Sequence, residues 1–264
     1  MRYVLTVAAA LCLNACATAP VQETKAFAAA VNAVKSTSDL LWDELNVAER
    51  NRYRRQLAAT KTGRVRFQVA DAYYFSTIAE APATTDFRRA LTIIHDYSEL
   101  LRMLVEGTNV EAARGQIQSI IGKLSMIAGN PAIGAAAGEL SGLLDQLLRV
   151  ISIEEAKRLV VAGAPAIREL VAALRNATPA IFRELTDDIL ATGGTAKKID
   201  AERIVVANFV VMLDRLDLTF AQLVRAFEHP TNPVTLAALV AVSTQLEADV
   251  KSVRQAYIAL RTGT

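Results

Sequence analysis

Apolar residues return every third or fourth position along most of this chain, which is the period of helices with one buried face. From Thr24 to Thr60 the stripe is Phe27, Val31, Val34, Leu41, Leu45 and Ala48, with Ser38 in its one gap and no proline to interrupt it. This predicts one long amphipathic helix that Gly63 ends. The stretch Arg64–Ala81 is mixed: Val65, Phe67 and Val69 alternate as in a strand, while Phe75 and Ile78 suit a helix. A lone strand would have nothing to pair with, so the expectation is a helix with an irregular start. Pro82–Thr85 reads as a loop, with Thr85 the N-cap of a helix Asp86–Glu106 that Gly107 stops. Asn109 opens the next, striped by Val110, Ala113, Ile117, Ile120, Leu124 and Ile127.

The turn signal Gly129-Asn130-Pro131 separates this helix from a second arm, Ile133–Ile151. Ser152-Ile153-Glu154-Glu155 has the form of a capping box, and the helix it opens should kink or split at Pro165. Thr178-Pro179 then reads as a restart, N-cap followed by first helical residue, with Gly193-Gly194 as the stop. Two long helices follow. Ile199, Val206, Phe209, Leu213, Leu216, Phe220, Leu223 and Phe227 stripe the first. Asn232-Pro233 caps the second, in which Leu239, Val242, Leu246, Val250, Val253, Tyr257 and Leu260 recur. Stripes at both ends of the chain suggest that the first helix lies alongside the last two. The expected fold is therefore all-α: an elongated antiparallel multi-helix bundle, one domain over residues 24–264.

Composition agrees with packed helices, since 52% of residues are apolar but only 6% aromatic, leaving Ala, Leu, Val and Ile to fill the core. A net charge of +2 gives no argument for a nucleic-acid partner.

The first twenty residues differ from the rest. Arg2 is the only charge before Glu23, and Tyr3–Leu13 is an apolar run of the length of a signal-peptide core, too short to span a bilayer. The run ends in Leu13-Asn14-Ala15-Cys16, followed by the small residues Ala17, Thr18 and Ala19 and by Pro20. Leu13, Ala15 and Cys16 resemble the lipobox of bacterial lipoprotein signals; Asn14 is larger and more polar than that pattern usually holds. The resemblance implies removal of residues 1–15, a diacylglycerol on Cys16 and a short tether over 16–23. With Ala17 after the cysteine, it also implies an address at the outer membrane facing the periplasm. A plain secretory signal cleaved near Ala15 or Ala19 is the competing reading. Cys12 would leave with the signal and Cys16 would carry lipid, so no disulfide is expected in the mature chain.

Three places could carry function. Between Lys123 and Glu139 lie fifteen uncharged residues around the Gly129–Pro131 turn, and Gly134, Gly138 and Gly142 recur every fourth residue beyond it. Small residues so spaced let a second backbone come close. The hairpin Ile117–Ile151 resembles, in layout alone, the apolar hairpins of α-helical pore-forming toxins; the alternatives are that it forms the buried centre of the bundle, with glycines at the crossing, or a groove that binds a protein partner. The second place is basic: Arg50, Arg52, Arg54, Arg55, Lys61, Arg64 and Arg66 fall within seventeen residues that hold no acid, with Tyr53 among them and Phe67 directly after. Such a cluster can meet anionic headgroups or phosphate-bearing envelope polymers, or it can be a solvated end of the bundle.

Catalytic signatures are the third search. His95, beside Asp96, and His229, at a helix end, stand on different helices, and Asp187-Asp188 and Glu154-Glu155 are adjacent acids that point about 100° apart on a helix. No motif with metal-ligand spacing, nucleophile elbow or phosphate loop is present, so the expectation is no cofactor, no metal and no enzyme. The function expected is a lipid-anchored, non-enzymatic scaffold or binding module with a protein partner in the envelope. A membrane-active hairpin and an enzyme whose site the sequence does not reveal are the alternatives.

Overall fold

A computed structural model describes residues 20–60, 66–107, 110–127, 134–148 and 153–262. The chain is all-α, with no strand among the described residues. The helices are α1 (Val21–Ala59), a short α2 (Ala72–Phe75), α3 (Pro82–Glu106), α4 (Val110–Ile127), α5 (Gly134–Leu147), α6 (Ile153–Ala191), α7 (Ala196–Glu228) and α8 (Pro233–Thr262).

Helices α1, α3 and α6 pack on one another and form the centre. The hairpin α4–α5 closes one side against α3 and α6, while α7 and α8 close the other against α6 and α1. Ion pairs set the directions. Asp39 and Lys25 of α1 meet Arg88 and Glu106 of α3, so these two helices are antiparallel. Arg52 and Arg55 meet Glu184 and Asp188 of α6 in ascending order, so α1 and α6 run the same way. Helix α8 also runs with α1: the Tyr257 hydroxyl donates to the Leu40 carbonyl, and Arg261 bridges to Glu44 one turn further on.

Among the described residues the buried apolar side chains form one contiguous core from Phe27 to Tyr257, all of it on helices that begin at Val21 or later. Every member of the expected α1 stripe is buried, and Ser38 is tolerated in its gap because its hydroxyl donates to the Val34 carbonyl at 2.8 Å. Trp42 is fully buried between Phe87, stacked at 5.8 Å, and Phe209, edge-on at 5.2 Å. A side chain of this size buries about 150–250 Å².

Several sequence expectations need correction. Helix α1 begins at Val21, three residues before the expected start at Thr24. Thr85 is not the N-cap of α3. The helix starts at Pro82, and the N–H groups of Ala83 and Thr84 donate to the buried carboxylate of Glu49, at 3.2 and 3.0 Å. The cap comes from another helix, and Thr85 instead donates its hydroxyl to the Ala81 carbonyl. Neither proline splits α6, which is one 39-residue helix. Pro179 leaves the Arg175 carbonyl without its helical N–H, and the Thr178 hydroxyl donates to that carbonyl at 2.7 Å. Pro165 does the same to Val161, which sits on the exposed face where solvent can replace the bond. Within 66–81 the only helical pieces are a 3-10 turn, Val69–Asp71, and α2; the remainder is irregular. Gly107 ends α3 at φ 66°, a left-handed conformation that suits glycine. The Asn109 start, the Gly129-Asn130-Pro131 turn and the Ser152 cap lie outside the described residues.

Candidate functional site

The arginines expected to form a basic surface are largely engaged by the protein itself. Arg52 pairs with Glu184 at 2.8 Å and Arg55 with Asp188 at 2.6 Å, which joins α1 to α6. Burial raises the Glu184 carboxyl above its usual range, tempered by Arg52. Arg50 donates to the Ala79 carbonyl, and Arg54 to that of Tyr74 at 2.9 Å. These two hold an arm, residues 66–81, that folds back along the C-terminal end of α1. Arg66 lies on this arm and is exposed. Lys61 and Arg64 lie outside the described residues.

The arm is fastened chiefly by polar groups. Asp71 is buried and accepts from the Gln68 N–H at 2.7 Å and from the Tyr53 hydroxyl. These two donors, the backbone N–H first, hold its carboxyl below the usual aspartate range. Tyr53 also stacks on Tyr74, ring centres 3.8 Å apart, and the Arg54 guanidinium sits 5.1 Å from the centre of the Phe75 ring. Asn46 accepts from the Ala81 N–H at 2.9 Å, just before α3 begins.

Gly138 and Gly142 of the hairpin do not line a crossing. Gly138 and Gly142 are exposed, Gly134 is half-buried, and a methyl group added at Gly138 or Gly142 would meet open space. The side of α5 that packs is Ala136, Ala137, Leu140, Leu144 and Leu147, as α4 packs Ile117, Ile120, Leu124 and Ile127. The hairpin thus closes the edge of the bundle with its large side chains inward. Among the described residues no helix is long and apolar enough to cross a membrane. Gly129 and Pro131 lie outside those residues, as does Cys16. A glycine that does face a crossing is Gly163 of α6: a methyl there would lie 2.8 Å from the hydroxyl oxygen of the buried Tyr97.

The titratable groups singled out by sequence serve as clamps. His95 contacts Asp96 at 3.3 Å, and Asp96 also accepts from Lys123 of α4. Burial pushes the Asp96 carboxyl up, but the bonds from His95 and Lys123 outweigh it and leave it lowered. His229 ends α7, its N–H donating to the Arg225 carbonyl at 2.9 Å. Asp188 is occupied by Arg55 and by Asn51; the side chains of Glu154 and Glu155 lie outside the described residues. A groove of about 490 Å³ lies where α1 meets α6 and α8, with Leu40, Val47, Leu185 and Ile189 in its lining. Its charges are spoken for: Arg261 bridges Glu44 and Glu202, the latter at 2.6 Å.

One surface escaped the sequence reading. On α7 the buried stripe coexists with a second one, Ile204, Val211 and Leu218, spaced by sevens and exposed. It is an apolar ridge about 21 Å long. On its α6 side lie Asp214 and Asp217, paired with Arg175 and Arg168. On its α8 side a groove of about 260 Å³ is lined by Asn208, Val211, Met212, Arg215, Asp249 and Val253, with Arg215 and Asp249 paired at 2.9 Å. Seven-residue spacing was the available signal, masked by the stronger stripe on the opposite face.

Comparison with protein families, with curated proteins and with solved structures returns no match for this chain.

Proposed function

We propose that this is a lipid-anchored protein of the bacterial envelope that holds a protein partner through its helical surface and does no chemistry of its own. The lipobox-like Leu13-Asn14-Ala15-Cys16 supports the anchor. The observation that carries the binding role is the exposed ridge Ile204–Val211–Leu218. Three branched side chains at heptad spacing match one seam of a helix pair, in which each knob enters a hole on the facing helix. Asn208 and Arg215 occupy the intermediate positions and leave the ridge open to a partner that supplies both apolar and polar groups. The partner is accordingly an envelope protein that presents an amphipathic helix, laid along α7 beside the α7–α8 groove.

A photo-cross-linking amino acid in place of Val211, compared in cells with the same group in place of the exposed Gln245 of α8, tests this reading. The expected result is a discrete adduct from position 211 that Ile204→Glu with Leu218→Glu abolishes. An adduct of twice the chain mass would identify the partner as a second copy. No adduct at 211, or an equal one at 245, overturns the proposal.

A further inference from the structure

The arm 66–81 inverts the usual arrangement of a surface segment: its polar groups face the protein and its apolar ones face outward. Asp71, the backbone carbonyls of Tyr74 and Ala79 and the ring of Tyr74 are engaged by Tyr53, Arg54 and Arg50. Meanwhile Phe67 is 73% exposed, Val69 84% and Ile78 97%, and Tyr73 and Phe75 are exposed beside them. Single exposed apolar residues are ordinary on a protein surface; five within twelve residues of one segment are a marked concentration of them.

The charge along this part of the chain is mainly basic. From Arg50 to Glu80 there are two acids, Asp71, which is buried, and Glu80, which pairs with Arg88 at 2.9 Å. Arg54 and Arg66 are exposed cations beside the patch, and the connecting residues 61–65 add Lys61 and Arg64 in sequence. Aromatic and branched side chains flanked by arginines are the composition of protein segments that sit at a bilayer interface. Side chains that project separately from an irregular backbone do not present the close-fitting surface of a protein–protein core, whereas a fluid interface accepts each one individually.

We infer that the arm 66–78 is a bilayer-contact element that inserts Phe67, Val69 and Ile78 among anionic lipid headgroups while Arg54 and Arg66 meet the phosphates. This site is separate from the α7 ridge and does not depend on a lipid at Cys16. Its position near the C-terminal end of α1 places it roughly 45 Å along the helix from Val21.

The test uses the chain from Val21 to Thr264 with sedimenting vesicles, either of phosphatidylcholine alone or of equal parts phosphatidylcholine and phosphatidylglycerol. The expected result is binding to the anionic vesicles that weakens with salt, with little to the neutral ones. Phe67→Asp with Ile78→Asp should lower it by about tenfold or more, and Arg66→Glu by roughly five- to tenfold. Because these side chains are exposed, the melting temperature should stay unchanged. A second measurement bypasses variants that weaken binding: Phe67→Trp should be quenched by brominated anionic lipid, while the buried Trp42 is not. No binding to anionic vesicles, equal binding by the Asp variant, or an unquenched Trp introduced by Phe67→Trp overturns the inference and leaves the patch to a protein partner.

Discussion

Tyr97 and Gly163 form a pair whose coupling can be worked out before it is measured. Tyr97 of α3 is fully buried and donates its hydroxyl to the Leu159 carbonyl of α6 at 2.7 Å. A methyl at Gly163 would lie 2.8 Å from that hydroxyl oxygen, and 3.4 Å from Tyr97 Cε2 and Leu143 Cδ2. Real carbon–oxygen contacts are not that short, and a fully buried ring has no room to withdraw. Gly163→Ala should therefore cost about 1–3 kcal/mol through overpacking, offset by roughly 0.8–1 kcal/mol of helix propensity. The net is a loss of up to about 2 kcal/mol. Tyr97→Phe removes the hydrogen bond and should by itself cost about 1 kcal/mol. It also removes the atom that clashes, and the contacts that remain are ordinary. In the Tyr97→Phe background, Gly163→Ala should then be neutral or stabilising by up to about 1 kcal/mol. The sign of one substitution reverses with the other, a coupling of roughly 2 kcal/mol. Urea denaturation followed by circular dichroism of the four chains measures it. Equal effects of Gly163→Ala in the two backgrounds, within about 0.5 kcal/mol, would refute the steric account.

Three more outcomes follow from the same structure. Glu49→Gln keeps the volume but swaps one carboxylate oxygen for a donor facing the N–H groups at the start of α3; it should cost about 1–2 kcal/mol and lower Tm by roughly 2–8 °C, read by thermal denaturation. Thr178→Val leaves the Arg175 carbonyl opposite Pro179 without its hydroxyl donor and should cost about 1 kcal/mol by urea titration, whereas Thr192→Val, at an exposed helix end, should cost less than about 0.5 kcal/mol. Asp71 has its carboxyl lowered by the Gln68 N–H and then by Tyr53, so its contribution is fully present above the ordinary aspartate value of about 3.9 and is lost as pH falls through the lower folded value. Amide exchange at residues 68–75, corrected for intrinsic rates, should stay constant from neutral pH down to that range and quicken below it. Asp71→Asn should exchange fast already at neutral pH and show no acid step.

Much of the architecture was legible because buried faces impose a period. The stripe from Phe27 to Ala48, that of α4 from Ala113 to Ile127 and that of α7 from Phe209 to Phe227 are all in the core. Helix ends were readable where the cap is local, as at Gly107, or at Asn232, whose side chain accepts from the Val234 N–H at 3.0 Å. They were not readable where it comes from afar: Glu49 caps a helix that starts thirty-three residues later, and no local motif announces it. The prolines of α6 misled because a proline rule cannot see the Thr178 hydroxyl or the exposed setting of Val161. Gly138 and Gly142 misled for a related reason, since glycines spaced by four mark a face without saying whether anything packs on it. The ion pairs of Arg52 and Arg55 were not readable because their acidic partners, Glu184 and Asp188, are more than 120 residues away. The outward-facing arm was hidden in the one segment whose period was ambiguous.

The claim on which the functional reading rests is acylation at Cys16, and labelled-palmitate incorporation tests it most directly. Wild-type and Cys16→Ala chains would be expressed in cells, immunoprecipitated from salt-washed membranes and from the soluble fraction, and counted. The account predicts label on the wild-type chain in the washed membranes and none on the variant in either fraction. A wild-type chain that takes up no label, or a Cys16→Ala chain that still does, would contradict it.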